Sequence, residues 1–183
     1  ADEGARTAEA RHHLLDDWLA RLRSPDDPDP IFLALHNTIR DRRLPLSLFE
    51  DLISAFRQDI TTRRYDTWAA VLDYCRRSAN PIGRLVLRIG GYEDPATDRA
   101  SDALCTALQL ANFWQDFARD WEKGRLYVPI ADVEAAGARL EDLDRRRVTP
   151  EWRAALGAVV ARTRALFDEG RSVADRVRGR LRW

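Results

Sequence analysis

Apolar positions recur every three or four residues along almost the whole chain, and no stretch alternates like a half-buried strand. Leu14, Leu15, Trp18 and Leu22 form one stripe of a first helix from about Ala5 to Arg23, which Ser24-Pro25 and the stretch Asp26 to Pro30 break. Pro30 suits the opening of a second helix, Ile31 to Arg42. Ser47, with Glu50 three residues on, reads as a capping box for a third helix running to about Ile60. Asp66 or Thr67 begins a long segment to Ile89, which Pro81 must kink or open and Gly90-Gly91 ends. Pro95 to Lys123 reads as one helix stopped by Gly124, and short turns over 125–149 precede a last helix from Pro150 to about Arg178. There are no internal repeats and no low-complexity linker, so the pattern predicts one all-α domain over residues 1–183.

Composition narrows the function classes. With 183 residues, 45% of them hydrophobic and 33% charged, the chain can bury a sizeable core. Thirty basic and thirty acidic side chains cancel, which argues against a dedicated nucleic-acid binder. Cys75 and Cys105 lack the paired spacing of a zinc site and read as reduced thiols of a cytoplasmic protein. No apolar run reaches the roughly 18 residues a membrane-spanning helix needs. The chain opens Ala-Asp-Glu-Gly and has no methionine, which reads as a fragment and leaves targeting open.

The chemistry concentrates between Leu108 and Pro129. On a wheel of 3.6 residues per turn, Gln109, Asn112, Asp116, Asp120 and Lys123 fall within an arc of roughly 80°. Leu110, Phe113, Trp114, Phe117 and Trp121 fill the neighbouring arc. Asp116 and Asp120 project side by side, with Asn112 one turn earlier. Such oxygen donors suit Mg²⁺, which takes one or two carboxylates together with substrate phosphates. An Asp-x-x-x-Asp pair is also commonly a plain solvated face, and spacing alone leaves both readings open. His12, His13 and His36 lack ligand spacing and read as surface or cap residues. The arginine-rich stretches 145–147 and 176–182 read as solvated faces, and the second could also rest peripherally on a membrane.

The segment Gln-Leu-x-Asn-x-x-x-Asp-x-x-x-Asp followed by Gly-Arg-x-Tyr-x-Pro resembles the second aspartate-rich motif of the squalene/phytoene synthases. Gln109, Leu110, Asn112, Asp116, Asp120, Gly124, Arg125, Tyr127 and Pro129 fill that pattern. The wording Asn112 to Asp116 is most similar to the hopanoid-pathway branch, the hydroxysqualene synthases. A second block, Tyr74 to Gly83, resembles the family's Tyr-Cys-x-x-x-Ala-x-x-x-Gly segment, in which the tyrosine faces the reaction cavity and small residues leave room for the isoprenoid chain. Tyr74, Arg77, Ser78 and Pro81 share one helical face, though Tyr74 alone would sooner read as a core aromatic with its hydroxyl satisfied.

The resemblance implies an isoprenoid synthase-type helical bundle around a central cavity. Asn112, Asp116 and Asp120 would hold Mg²⁺, and Asp2 would be the last ligand of a first aspartate-rich motif whose earlier part is missing here. Asn112, Asp116 and Asp120 would point inward, and residues 1–183 alone would be inactive. Tyr74 would act near the leaving diphosphate or the incoming water, while Gln109, Lys123, Arg125, Tyr127, Arg77 and Phe113 would contact substrate. The implied reaction is ionisation of an isoprenoid diphosphate, foremost presqualene diphosphate and water giving hydroxysqualene. The alternatives are head-to-head condensation to presqualene diphosphate, squalene or phytoene, or a non-catalytic helical scaffold. The implied location is cytoplasmic or peripheral to the inner membrane.

Overall fold

The computed structural model describes residues 7–179. In chain order these hold α1 (Ala8–Leu22), α2 (Pro30–Arg42), α3 (Leu46–Thr61), α4 (Trp68–Ser78), α5 (Asn80–Ile89), α6 (Pro95–Gln115), α7 (Phe117–Glu122), α8 (Ile130–Ala135), α9 (Leu140–Asp144), α10 (Pro150–Gly170) and α11 (Val173–Arg176). The fold is all-α, as the periodicity predicts. Three helices start by one device, an N-cap side chain followed by proline at the first helical position, where its missing N–H costs nothing. The pairs are Asp29-Pro30, Asp94-Pro95 and Thr149-Pro150.

Three boundaries differ from the periodicity. Helix α3 starts at Leu46 rather than after a Ser47 cap, because the Pro45 carbonyl already accepts the Leu48 N–H at 3.2 Å. Glu50 instead accepts from Arg23 at 2.8 Å. The 66–89 segment divides at Ala79, the break expected of Pro81, which cannot donate to the helical ladder. The helix expected to run unbroken to Lys123 is interrupted at Asp116, whose ψ of 10° departs from helical geometry. The bonds Asp116 N–H to Asn112 and Asp120 N–H to Asp116, both 2.8 Å, carry the axis across the break. The last long helix ends at Gly170 rather than near Arg178. A Cβ there would lie 2.6 Å from the Leu104 backbone nitrogen, so the contact requires glycine.

Helix α6 is central and packs against both α5 and α10. Gly83 of α5 lies against Ser101 and Cys105 of α6, and buried Asn80 accepts from Thr106 at 2.9 Å. Trp114 of α6 donates to Thr163 of α10 at 2.9 Å. Leu15, Leu22, Phe32, Ile53 and Ile60 close a separate core under α1 to α3. Beyond α7, Gly124 (φ 74°) makes a left-handed stop in which Gly124 N–H bonds Trp121 and Arg125 N–H bonds Asp120, both 2.8 Å. The chain then runs beside residues 63–66, with Leu126 N–H on Arg63 and Ile130 N–H on Tyr65, both 2.9 Å.

This packing makes a prediction. Gly170→Ala should cost about 1–3 kcal/mol, the usual overpacking range, because Leu104 backbone atoms cannot move aside as a side chain can. Gly83→Ala should cost less, since its neighbours are the rotatable Cys105 Sγ and Ser101 Oγ. Urea unfolding of both variants checks the order, and an unchanged Gly170→Ala midpoint would mean that α10 slides freely on α6.

Candidate functional site

The contacts that pin α6 also set its rotation. Leu110 and Phe113 are buried, whereas Asn112 is exposed and the Asp116 side chain is 48% exposed. Gln109 and Asp120 are partly buried, and Lys123 is exposed. The polar arc therefore lies on a face that is open among the described residues. The physical reason is that the aromatic arc beside them takes the buried side. Phe113 stacks on Tyr127 at 3.6 Å, and Phe117 packs against fully buried Trp152 at 5.6 Å.

Helix α5 brings an apolar stripe to the same side. Arg84 and Arg88 bond Asp102 and Asp98 along one flank of the α5–α6 contact, at 2.9 and 2.8 Å. The other flank of α5 carries Ile82, Val86 and Ile89, each about half exposed and spaced one helical turn apart. The matching flank of α6 runs through Ser101 and Cys105 to exposed Leu108 and then Asn112. An apolar wall thus leads toward the carboxylates. Gly83 itself faces Ser101 and Cys105, whose side-chain atoms occupy the place a Cβ would take.

Behind the polar arc lies a cluster of aromatic rings. Tyr65, Tyr74, Phe113 and Tyr127 are all buried, with Tyr65 to Tyr127 at 5.7 Å and Tyr74 to Phe113 at 6.2 Å. The strap between residues 63–66 and 126–130 places Tyr65 and Tyr127 side by side. Tyr74 donates its hydroxyl to Asp59 of α3 at 2.7 Å. Burial raises the Tyr74 phenol well above its ordinary range, and the neighbouring Asp59 charge raises it further, so the ring stays protonated. Burial also raises the Asp59 carboxyl, opposed by the Tyr74 hydrogen bond and by the charges of Arg125 and Arg63.

Asp59 is the residue that sequence reasoning misses. An aspartate on an amphipathic helix reads as solvated, and only the α3–α4 contact brings it to Tyr74. Arg77 reaches the edge of the cluster, where its guanidinium bonds Asp73 and Ser54 at 2.9 Å and also Gln58. Gln58 in turn donates to the Tyr65 hydroxyl at 3.3 Å. Arg125 is tied to Asp120 through the backbone and acts electrostatically on Asp59, which links the aromatic cluster to the polar arc. His36 bonds the Arg21 carbonyl at 3.1 Å, which fits its reading as a cap. Asp2 and the arginines at 180 and 182 lie outside the described residues.

The donor set limits what the face can hold. Among the described residues no group of three or more His, Cys, Asp or Glu side chains could hold a metal unaided. Two carboxylates on successive turns, with a carboxamide one turn earlier, suit a hard cation that takes its remaining ligands from water and phosphate. The residues therefore fit Mg²⁺ in company with a phosphate-bearing ligand. Cys75 offers no softer alternative, because burial pushes its thiol up to about 12. No helix among the described residues is long and apolar enough to cross a membrane.

The chain is similar to known proteins over its whole length. The sequence model of the family described as squalene/phytoene synthase matches residues 1–183. Hydroxysqualene synthase from Rhodopseudomonas palustris is 35% identical over 179 residues, covering 97% of this chain and 61% of that protein. Hydroxysqualene synthase from Sinorhizobium fredii is 39% identical over 154 residues, covering 82% and 52% respectively. The chain thus spans between about half and three-fifths of these relatives. The crystal structure of squalene synthase HpnC from Alicyclobacillus acidocaldarius superposes with a TM-score of 0.91 at 45% identity, over 100% of this chain and 69% of that one.

The raised Asp59 carboxyl has a consequence for stability. A carboxyl whose folded-state value exceeds its unfolded value favours folding when protonated, and that contribution is lost as pH rises through the folded value. At neutral pH the ionised Asp59 is then a net liability, opposed by Tyr74, Arg125 and Arg63. Asp59→Asn should raise the thermal midpoint at pH 7.5 by roughly a few degrees, a gain that shrinks as pH falls through the Asp59 value. Melting curves of both proteins at several pH values measure this, and a lower midpoint for the variant at pH 7.5 would contradict it.

Proposed function

The chain belongs to the squalene/phytoene synthase family, and we propose that its open face serves Mg²⁺-dependent ionisation of an isoprenoid diphosphate. The observation that carries the proposal is the conjunction on one face of Asn112, Asp116 and Asp120 with the apolar stripe Ile82, Val86 and Ile89. An isoprenoid diphosphate has the same two halves, a multiply charged head and a long apolar tail. The specific reading is that presqualene diphosphate and water give hydroxysqualene and diphosphate, supported by the hydroxysqualene synthases at 35% and 39% identity.

In this reading Asn112, Asp116 and Asp120 hold the cation, and Asp2 is a further ligand. When bound, Mg²⁺ neutralises the diphosphate oxygens and so stabilises the charge of the leaving group. Lys123 and Arg125 donate to the same oxygens, and Gln109 contacts the head from the turn before Asn112. The carbon–oxygen bond breaks with its electron pair staying on diphosphate. The apolar stripe keeps bulk water from the resulting cation, and the electron-rich faces of the aromatic cluster stabilise it. Water then supplies a lone pair for the new carbon–oxygen bond, and its proton leaves with the released diphosphate. Phe113 and Tyr127 back this wall, and Arg77 supports it through Gln58 and Tyr65.

Asp116→Asn combined with Asp120→Asn should lower turnover on the order of 100-fold or more while leaving the far-ultraviolet circular dichroism unchanged. Turnover of presqualene diphosphate by the full-length protein, with and without Mg²⁺ and with products identified, is the test. Near-normal turnover in the double variant would refute the metal assignment. Presqualene diphosphate, squalene or phytoene formed from prenyl diphosphates would assign the condensation reaction instead. No Mg²⁺-dependent binding of a diphosphate analogue would favour a scaffold.

A further inference from the structure

We infer that Asp59 is a positioning residue that fixes Tyr74 as a hydrogen-bond acceptor for the attacking water rather than a donor to diphosphate. The inference rests on the reaction proposed above. A phenol has one hydrogen to give, and Tyr74 gives it to Asp59 at 2.7 Å. What remains on its oxygen is lone-pair density. Lone pairs attract the O–H of a water and repel the oxygens of a diphosphate, so the direction of this one bond decides which ligand Tyr74 can serve. A water donating to Tyr74 is held in place while its own lone pairs remain available to the cation.

Two further observations support this assignment. The Tyr74 ring is held by Tyr65, Phe113 and Tyr127, with centroids 5.6 to 6.3 Å away, so the hydroxyl has little freedom to leave Asp59. Asp59 also lies within the field of Arg125, whose backbone N–H is bonded to Asp120. The Asp59–Tyr74 pair is therefore coupled electrostatically to the segment that carries Asp120 and Arg125. Burial makes an ionised carboxylate costly at this position, and a residue that only filled space there would be better neutral. The water's proton is not transferred to Tyr74, which is already protonated. It departs with the diphosphate, as above.

A double-mutant cycle in the full-length protein tests the inference, with presqualene diphosphate and Mg²⁺ as substrate and cofactor. Tyr74→Phe and Asp59→Ala should each lower kcat about 10- to 100-fold, the scale of a misplaced reactant, and leave KM within about threefold. Each should also divert product from the alcohol toward elimination. The double variant should be no slower than the worse single variant, because Asp59 acts only through the Tyr74 hydroxyl. Asp59→Asn, whose amide oxygen can still accept that hydrogen, should retain most of the alcohol product, with circular dichroism showing that it folds. Multiplicative losses in the double variant, or a raised KM with unchanged kcat in Tyr74→Phe, would overturn the inference while leaving the reaction intact. Absence of wild-type turnover would overturn the reaction and the inference with it.

Discussion

The rotation of α6 about its own axis is the constraint on which the rest of the structure depends. A shift of one residue turns a helix by about 100°, enough to exchange the Phe113 and Asn112 sides. Three contacts prevent it. Gly83 admits α5 against Ser101 and Cys105, Gly170 admits α10 against the Leu104 backbone, and Trp114 is bonded to Thr163. Two of these are places where a side chain is missing rather than present. With α6 fixed, Leu110 and Phe113 are committed to the core and Asn112 and Asp116 to the open face. The polar arc is thus positioned by packing behind it, and its carboxylates need no mutual attraction to stay together.

The second element of the site is held differently. Residues 63–66 and 126–131 are too short to form a sheet, yet a few backbone hydrogen bonds place Tyr65 beside Tyr127. The left-handed turn at Gly124 delivers the chain into that strap directly after Asp120. The order of residues from Asp116 to Pro129 therefore has a physical meaning. A carboxylate pair is followed by a helix stop, then by an arginine beside the carboxylates, and then by a tyrosine under Phe113. Each step fixes the direction of the next.

Much of this was legible in the sequence because it is local. Thr67 and the proline starts at 30, 95 and 150 mark true helix beginnings, and Gly124 and Pro81 mark true breaks. The separation of α6 into an aromatic and a polar arc follows from periodicity alone. Periodicity could not tell which arc would meet solvent, since a charged arc can line either a cavity or a surface. Nor could it find the interruption at Asp116, which preserves the i to i−4 bonds on either side and leaves no mark such as proline or glycine. The Ser47 cap does not form because the helix has already started two residues earlier, with Pro45 at its cap position. Asp59 was invisible for a deeper reason, since its partner lies fifteen residues away on another helix.

Asp59 also shows how stability and chemistry divide the same residues. The aromatic cluster gains from burial, and each ring excludes water from the others. A carboxylate at its edge works against that gain, because its charge loses hydration and recovers only part of it from Tyr74, Arg125 and Arg63. A neutral side chain of the same shape would serve the core better. It would hold the Tyr74 hydrogen less firmly, because a bond to a charged acceptor is the stronger kind. The cost of the half-buried charge and the fixed direction of the phenol are thus two consequences of one placement, that of α3 against α4. Loosening the contact would relieve the first only by giving up the second.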